Sequence, residues 1–512
     1  MCYLQSSCAL DPFPSSQISS HVDYFICPIV HCINVSLSTG VFPDAFKLAH
    51  VKPLLKKSSL DHNVLKNYRP VSNLPYLSKI LERVVAAQMQ CYMDENGLHN
   101  PLQSAYRPYH SCETALLKVS NDILQALDSG HVVIHVMLDL SAAFDTLEHN
   151  VVLNRLKSIG VSGVALEWFA SYLANRKQIV VIENEFLSEP RNLKVGVPQG
   201  SVLGPILFSI YTIPLFLLCQ RNQTLSGFYA DDSQVYIICK PVNILETSLK
   251  IEHCISEIQS WMSSNRLKLN GDKTELTVFS GPRIGKQLPP VQLTIGEDQI
   301  IPQSSCRNLG SFFDEHMSMD VHVTSVCQSS FYHLSKIASI RPLLNQDTTE
   351  ALIHAFVSTR LDFCNCLLFG ITKKNLRKLQ KVQNRAARIC LKISRKQQIP
   401  SLSLLKELHW LPISFRIDFK TLLLTYKCLN NCAPQYLSDL LQRRTLDRTT
   451  RSASLGLLVV PESRRKSFGD RSFAVAAPRL WNDLPLFIRQ AGSVAAFKKN
   501  LKTHLFRKAF VE

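Results

Sequence analysis

A nearly continuous apolar run that ends in a carboxylate restricts the fold of this chain more than any other feature. The run, His131-Val-Val-Ile-His-Val-Met-Leu-Asp139, has the profile of a buried central strand with a functional residue at its tip. A second segment, Gly227-Phe-Tyr-Ala-Asp-Asp-Ser-Gln-Val-Tyr-Ile-Ile238, predicts a strand, a tight turn and another strand, with both aspartates at the turn. Both segments therefore place carboxylates where an apolar strand meets a surface loop.

The remaining patterns predict helices with a few short strands. Apolar residues recur at helical spacing from Pro75 to Met93, and Pro75 suits the first turn of that helix. Further helices are predicted at 112–127, 150–159 and 243–264. A strand is predicted at 178–182, and two or three short strands are predicted within 273–314. Beyond residue 320 the chain is mostly helical, whereas residues 1–45 show only weak periodicity.

The charge of the chain is concentrated towards its C-terminal end. The 57 basic and 40 acidic residues give a net charge of +17, but residues 1–340 carry 26 basic and 29 acidic side chains, whereas 341–512 carry 31 and 11. This asymmetry favours an acidic polymer as partner, most simply nucleic acid, over a basic surface that serves solubility alone. A hydrophobic content of 46% excludes a largely disordered chain.

The cysteine pattern and the apolar segments favour an intracellular protein, in the nucleus or the cytoplasm. None of the 16 cysteines forms a C-x-x-C pair, so neither a zinc quartet nor a disulfide framework is indicated. The first thirty residues lack the charge pattern of a signal peptide. The most apolar run, Val202 to Cys219, contains Gly204, Pro205 and Pro214, which favours a buried helix over a membrane span.

Asp139, Asp231 and Asp232 are the candidate catalytic residues. A carboxylate at the end of an apolar strand is costly unless it is solvated or binds a cation. Carboxylate oxygens are the ligands that Mg²⁺ prefers, and two such ions can share a few carboxylates because substrate phosphates complete their coordination. Two aspartates in a hairpin turn also occur as simple turn formers, and that alternative stays open at this point.

The residues around these aspartates resemble the conserved motifs of one enzyme family. Val136-Met-Leu-Asp-Leu-Ser-Ala-Ala-Phe-Asp145, Gly196-Val-Pro-Gln-Gly-Ser-Val-Leu-Gly-Pro205 and Phe228-Tyr-Ala-Asp-Asp232 resemble motifs A, B and C of reverse transcriptases of LINE-type, non-LTR retrotransposons, in particular the jockey-like elements. Segments 67–75 and 103–111 resemble the finger motifs, 269–275 resembles motif D, and 307–310 resembles motif E. The tail segments 409–416 and 477–485 also resemble these elements, so that the similarity covers roughly 46–510.

The resemblance implies a fold and a domain order. The fold is an α+β right-hand polymerase, with helical fingers at 46–135, a palm on an antiparallel sheet at 136–315, and a helical thumb at 316–442. A C-terminal extension follows at 443–512, and residues 1–45 are expected to be a weakly structured remnant of a preceding region. No endonuclease, RNase H carboxylate set or zinc knuckle is recognisable, so a separate endonuclease is expected to supply the nicked primer.

The resemblance also implies roles for individual residues. Asp139, Asp231 and Asp232 would hold two Mg²⁺ ions, with Mn²⁺ as a substitute. Phe144 would exclude ribonucleotides by colliding with the 2′-hydroxyl, and Gln199 and Gly200 would form the floor beneath the templating base pair. The alternative for Phe144 is ordinary core packing.

Three basic side chains are the predicted triphosphate contacts. Arg69 and Arg107 would bind phosphate oxygens, and Lys273 would act as a general acid near the leaving pyrophosphate. A solvated surface charge is the alternative for each of them. After Arg107 the chain has Pro108-Tyr109 where Lys-Gly is more usual in the family, which predicts a stiffer and less basic loop.

A basic helix is predicted in the thumb. Residues 371–400 contain ten Lys or Arg and no acidic residue. Six of the basic residues recur every three or four positions and fall within about 80° of one another on a helix: Lys374, Lys378, Lys381, Arg385, Arg388 and Lys392. Such a face would follow the phosphates of a template–primer duplex without reading sequence; a merely solvated face is the alternative.

The predicted activity is RNA-directed DNA synthesis, with RNA as template, DNA as primer, dNTPs as substrates and no membrane. The main alternative is a catalytically silent nucleic-acid-binding remnant that keeps the fold but lacks turnover. An RNA-dependent RNA polymerase is a third hypothesis, and Phe144 argues against it because the ring would clash with a ribose hydroxyl.

Overall fold

The computed structural model describes residues 8–141, 144–182, 186–296, 298–394, 396–444 and 456–511. Ala142 and Ala143 of motif A and residues 445–455 of the predicted extension lie outside the described residues. The strands, in chain order, are β1 (Leu48–Leu55), β2 (Tyr68–Asn73), β3 (Val132–Ser141), β4 (Lys177–Ile182), β5 (Phe186–Leu187), β6 (Arg191–Asn192), β7 (Leu225–Tyr229), β8 (Asp232–Cys239), β9 (Lys268–Leu269), β10 (Glu275–Phe279), β11 (Leu293–Ile295), β12 (Asp298–Ile300), β13 (Ser305–Asn308) and β14 (Ser311–Asp314).

Helices account for most of the remaining described residues. In chain order they are α1 (Ser15–Ser20), α2 (Val22–Thr39), α3 (Tyr76–Glu95), α4 (Cys112–Asp128), α5 (His149–Ser158), α6 (Gly163–Leu173), α7 (Gly204–Tyr211), α8 (Ile213–Arg221), α9 (Ile244–Ser264), α10 (Pro282–Gly285), α11 (Asp320–Ile340), α12 (Gln346–Ile353), α13 (Thr359–Asp362), α14 (Lys373–Cys390), α15 (Ser401–Glu407), α16 (Ile413–Leu429), α17 (Gln435–Ser438), α18 (Phe473–Asn482), α19 (Leu486–Arg489) and α20 (Val494–Phe510).

The chain divides into two compact units. The first comprises the residues up to Tyr106, Asp139–Gln223 and Cys254–Asn270; the second comprises Arg107–Leu138, Thr224–His253 and the residues from Gly271 onward. Each unit contains three separate stretches of chain. The predicted fingers, palm, thumb and extension are consecutive ranges, so the two units do not coincide with them, and these domains stay predictions.

The first unit contains a mixed sheet. Its strand order is β2-β1-β4-β5, and β6 also pairs with β4. Strand β1 is antiparallel to β2, from His50 opposite Asn73 to Leu55 opposite Tyr68, and parallel to β4. The helical prediction from Pro75 is confirmed in this unit, since α3 begins at Tyr76.

The second unit contains the predicted central strand. The sheet order is β10-β3-β8-β7, so β3 lies between β8 and β10, and β10 pairs with Val133 to Met137 of β3. Val132, Val133, Ile134 and Val136 are fully buried. The apolar run therefore forms an internal strand, as its composition predicts. Strand β10 is antiparallel to β3, and β7 and β8 form the predicted hairpin.

The structure differs from two expectations, one for the N-terminal residues and one for the apolar run in motif B. Residues 15–39 form α1 and α2, although weak structure is expected there; α2 places Phe25, Ile29 and Ile33 on its less exposed side. The apolar run near 202–219 is helical as predicted but only partly buried. It forms two helices that meet at Thr212, since Pro214 cannot donate a backbone hydrogen bond.

Two segments, Val22–Thr39 and Gly204–Arg221, are long and apolar enough to cross a membrane by length and composition alone. Of these two segments, 44% of the second and 6% of the first is buried inside the structure. Within the part of the chain that the structure describes, the cysteines are free thiols and most are buried.

Candidate active site

The hairpin between β7 and β8 carries two of the three candidate carboxylates. Tyr229 pairs with Asp232, so Ala230 and Asp231 form a two-residue turn. Ala230 has a φ of +56°, a left-handed conformation that costs a residue with a side chain about 1–2 kcal/mol. Asp231 is half-buried and Asp232 is exposed. The hairpin thus holds two adjacent carboxylates at a tight, strained turn that solvent and ligands can reach.

Asp139 lies on β3, one residue beyond the part of that strand that belongs to the second unit. Its side chain is half-buried, and its backbone carbonyl accepts a hydrogen bond from the amide of Asn270 at 3.1 Å. The next residue, Leu140, pairs with Leu269 of β9. In the first unit, the end of the motif A strand is therefore held directly by the start of motif D.

The motif B loop, residues 196–201, is held against the segment that follows motif A. The amide of Val197 donates to the carbonyl of Phe144 at 3.0 Å, and the amide of Gly196 donates to Leu147 at 2.7 Å. A side chain on Gly196 would lie 2.6 Å from the backbone oxygen of Asp145, and the φ of Gly196 is +82°. Glycine is therefore required at this position by both space and backbone conformation.

Phe144, Gln199 and Gly200 lie in the same unit. The ring of Phe144 is half-buried, with its centroid 5.3 Å from that of Phe208 on α7. The carbonyl of Gln199 accepts from the amide of Ser72 at 2.8 Å, and Gly200 has a φ of +126° with its backbone exposed. The side-chain oxygen of Gln199 is buried without a hydrogen-bond partner in the described structure. The motif B loop is therefore held by backbone hydrogen bonds at Val197 and Gln199, and it contains a buried acceptor without a partner in the described structure.

The residues predicted to contact phosphate are distributed over both units. Arg69 is exposed on β2 in the first unit, opposite Leu54. Arg107 is half-buried and Lys273 is exposed; both belong to the second unit, where Lys273 ends a short 3₁₀ turn. Their roles stay predictions.

Tyr109, two residues after Arg107, adopts a left-handed backbone conformation. Its φ is +64°, and the residue is 64% exposed. A left-handed conformation costs a residue with a side chain about 1–2 kcal/mol, and glycine avoids this cost. Tyr109 therefore introduces backbone strain into this loop.

Replacing Tyr109 with glycine is expected to raise the free energy of unfolding by about 1 kcal/mol, because it removes this strain. Urea denaturation of both proteins measures the difference. Tyr332→Gly is the matched control, since Tyr332 is also exposed but lies within helix α11, where glycine should cost about 1 kcal/mol. If Tyr109→Gly lowers the free energy of unfolding as Tyr332→Gly does, Tyr109 is not strained.

The predicted basic helix exists as α14, but it ends at Cys390. Lys374 and Lys381 are exposed, and Lys378 and Arg385 are half-buried on the same helix. Two of the six predicted residues, Arg388 and Lys392, do not continue the basic face of this helix. Lys392 lies beyond the helix with a φ of +55°, and the guanidinium of Arg388 donates to the carbonyls of Ser394 and Gln397. Arg388 thereby fixes the end of the helix.

Sequence reasoning misses a buried polar network between the motif strands of the second unit. His135 on β3 and Asn308 on β13 both bond to the side-chain oxygen of Gln234 on β8, at 2.9 and 2.6 Å. Burial lowers the pKa of His135 to about 4, so its ring is neutral at physiological pH. The network joins motif E to the strand of motif C. The available signal is a histidine and a glutamine within otherwise apolar strands.

The three aspartates suit a hard divalent cation. Their carboxylate oxygens are the donors that Mg²⁺ prefers, and each side chain is at least partly exposed. A ready-made cluster of three or more His, Cys, Asp or Glu side chains is absent from the described residues. The donor chemistry of the aspartates therefore fits the metal, and their joint role stays a prediction.

Comparison with known proteins decides the family. A family model described as reverse transcriptase (RNA-dependent DNA polymerase) matches residues 54–313, which is half of the chain and includes all three aspartates. The chain belongs to the reverse transcriptase family. This match confirms the predicted family and fold class, an α+β right-hand polymerase, and members of the family generally use divalent metal ions.

Curated relatives of this reverse transcriptase come from non-LTR elements. A probable RNA-directed DNA polymerase from transposon BS of Drosophila melanogaster is 28% identical over 374 residues, which are 69% of this chain and 39% of the relative. The RNA-directed DNA polymerase from mobile element jockey of Drosophila funebris is 27% identical over 382 residues, 73% of this chain and 40% of the relative. The chain thus spans about two fifths of the length of these relatives.

Solved structures of telomerases also align with the reverse transcriptase. Telomerase from Candida albicans, in complex with a fragment of telomeric RNA, gives a TM-score of 0.36 at 12% identity and covers 76% of this chain and 67% of that chain. Apo telomerase from Candida tropicalis gives 0.40 at 12% identity, with 78% and 68% covered. These values are too low for a comparison of individual residues.

Proposed function

We propose that this chain is an RNA-directed DNA polymerase that transfers nucleotides from dNTPs to the 3′-hydroxyl of a DNA primer. The observation that carries the proposal is the reverse transcriptase match over 54–313, which contains Asp139, Asp231, Asp232 and the motif B loop. The jockey and BS relatives bear the name RNA-directed DNA polymerase, which supports the same activity here.

Asp139, Asp231 and Asp232 are the proposed ligands of two Mg²⁺ ions, with Mn²⁺ as a substitute. When bound, such ions lower the pKa of an attacking hydroxyl and neutralise charge on the leaving pyrophosphate. Two of these carboxylates come from the β7–β8 hairpin and the third comes from strand β3.

The other predicted site residues bind and orient the substrate. The motif B loop is proposed to place Gln199 and Gly200 beneath the templating base pair, where the exposed backbone of Gly200 allows close approach. Arg69 and Arg107 are proposed to grip the triphosphate, and Lys273 to donate a proton to the departing pyrophosphate. These roles position the reacting groups and stabilise charge.

The proposed partners are an RNA template, a DNA primer and dNTPs. Lys374, Lys378, Lys381 and Arg385 on α14 form the proposed contact with duplex phosphates, an interaction that salt would weaken. A separate endonuclease is proposed to supply the nick, and the nucleus or the cytoplasm is the proposed location.

Replacing Phe144 with alanine is expected to increase ribonucleotide incorporation relative to dNTP incorporation by about tenfold or more, because the ring no longer collides with the 2′-hydroxyl. A tenfold change corresponds to about 1.4 kcal/mol in the difference between the two activation free energies. The ratio of kcat/KM for the two substrates measures it. Phe208→Ala is the matched control, since Phe208 packs against Phe144 but is fully buried. An unchanged ratio in Phe144→Ala would assign this ring to core packing.

The test of the function is extension of a labelled DNA primer on an RNA template by the purified chain with Mg²⁺ and dNTPs. Template-dependent extension that stops when RNA or metal is withheld supports the proposal. Salt-sensitive retention of template–primer without extension would support the silent binding remnant instead. Preferential incorporation of ribonucleotides would favour an RNA polymerase.

A further inference from the structure

We infer that Glu82 is a positioning residue for the polymerase reaction, because its buried carboxylate fixes the point where the motif B loop enters helix α7. This inference rests on the proposed polymerase function. Glu82 lies on α3, within the predicted finger region and far along the chain from motif B, and it is fully buried.

Four donors converge on this carboxylate. The backbone amides of Val202 and Leu203 donate to one oxygen at 2.8 and 3.2 Å, and the hydroxyl of Tyr172 donates to the same oxygen at 3.3 Å. The hydroxyl of Ser78 donates to the other oxygen at 3.1 Å. All four contacts lie within the first unit.

The two amides belong to the start of a helix, where backbone donors lack partners within the helix. Helix α7 begins at Gly204, and the amide of Gly204 donates to the side chain of Ser201. Glu82 satisfies the two amides that precede it, and a negative charge is favourable at a helix N-terminus. The direction of α7 and the end of the loop are therefore fixed by a side chain from another helix.

Buried side chains around Glu82 exclude water from its carboxylate. Tyr172 is fully buried, and burial raises the pKa of its phenol, so it remains a hydrogen-bond donor. The guanidinium of Arg176 stacks on the Tyr172 ring, 4.1 Å from its centroid, and is itself almost fully buried. In such a site each hydrogen bond to the carboxylate is strong, and the loss of the acceptor strands several buried donors.

The loop that Glu82 fixes is the one that carries Gln199. Ser72 holds the carbonyl of Gln199, Phe144 holds the amide of Val197, and Glu82 holds the exit at Val202 and Leu203. If the exit is released, the floor beneath the base pair loses one of its supports, while Asp139, Asp231 and Asp232 are untouched. The effect should therefore fall on nucleotide binding and selection.

The test compares Glu82→Leu with Glu82→Gln. Leucine fills similar space without an acceptor, whereas glutamine keeps one oxygen for the amides and so should restore most of the function. We expect Glu82→Leu to raise KM for the correct dNTP and the frequency of misincorporation by about tenfold each, with kcat per active molecule and template–primer binding changed less than threefold. Tyr172→Phe, which keeps the carboxylate but removes one of its four donors, should give a smaller shift of the same kind.

Asp128→Ala is the matched control. Asp128 is also a buried carboxylate that accepts from backbone amides, those of Arg464, Arg465 and Gly469, but it lies in the second unit. This variant should lower stability without altering KM or misincorporation per active molecule. If Glu82→Leu behaves like Asp128→Ala, the positioning role is overturned, and Tyr172→Phe decides the question if Glu82→Leu does not fold.

Amide hydrogen exchange separates this inference from the proposed function. Exchange in a peptide covering 196–203 should become faster in Glu82→Leu and stay unchanged in Asp128→Ala. If wild-type protein fails to extend primers, the polymerase function fails, yet faster exchange would still support the contact that fixes the loop. Unchanged exchange would overturn the role of Glu82 whatever the activity.

Discussion

Replacing Asp231 with alanine is expected to lower the rate of primer extension by about a thousandfold or more, while template–primer binding is retained. Loss of a metal ligand removes several kcal/mol of charge stabilisation, and about 4 kcal/mol corresponds to a thousandfold in rate. Single-turnover extension on an RNA template measures the rate, and a filter or fluorescence assay measures binding.

The position of Asp231 in the hairpin separates an effect on activity from an effect on stability. Asp231 lies in the turn itself and Asp232 begins β8, so neither side chain is part of the hydrophobic core. Asp231→Ala should therefore leave the free energy of unfolding almost unchanged. Asp439→Ala, at an exposed aspartate on the second unit, is the matched control and should extend primers at the wild-type rate. Extension by Asp231→Ala within tenfold of wild type would remove Asp231 from the metal site.

The elements that carry the motifs could be predicted from the sequence because local patterns determine them. The run ending at Asp139 has the continuous apolar character of an internal strand, and β3 is internal in its sheet. The aspartates near 231 lie between two apolar stretches, and they occupy a hairpin turn. In both cases the information lies within about ten consecutive residues.

The contacts that hold the motifs could not be predicted, because they join residues far apart in the chain. Glu82 meets Val202 across 120 positions, and Gln234 meets His135 across 99. Their only local signal is a polar residue on an apolar face: Glu82 shares its side of α3 with Leu81 and Val85. That pattern marks a buried polar group but does not identify its partner. Arg388 shows the same limit, since helical spacing cannot reveal that a side chain folds back on its own helix end.

Deleting the predicted C-terminal extension, by ending the chain at Gln442, is expected to unfold the second unit. The extension packs on α16 and supplies seven residues of a buried cluster: Leu458, Trp481, Leu484, Ile488, Phe497, Leu501 and Leu505. Their partners in the remaining chain, which would become exposed, are Leu411, Leu422, Leu423 and Tyr426. Each large apolar side chain that loses burial costs about 1.5–3 kcal/mol, against a net stability of about 5–15 kcal/mol for a domain.

The extension also anchors the helix that follows Arg107. The carboxylate of Asp128, at the end of α4, accepts from the amides of Arg464 and Arg465 at 2.8 and 2.7 Å, and Asn121 accepts from Ala474 at 3.0 Å. A side chain on Gly469 would lie 2.5 Å from the Asp128 carboxylate, so this approach requires glycine. The truncated chain would leave these acceptors and an apolar face of α4 without partners.

Circular dichroism and thermal unfolding of the truncated chain test this expectation, with Trp481→Ala and Phe487→Ala as graded controls in the full chain. Trp481 is buried in the cluster, and its loss should cost about 3–5 kcal/mol. Phe487 lies in the same segment but is 64% exposed, so its loss should cost well under 1 kcal/mol. A cooperative, wild-type-like unfolding transition in the truncated chain would show that the second unit is stable without the extension. In that case the contacts at Asp128 and Trp481 would only attach an accessory segment, and the basic helix α14 would have to keep its structure without it.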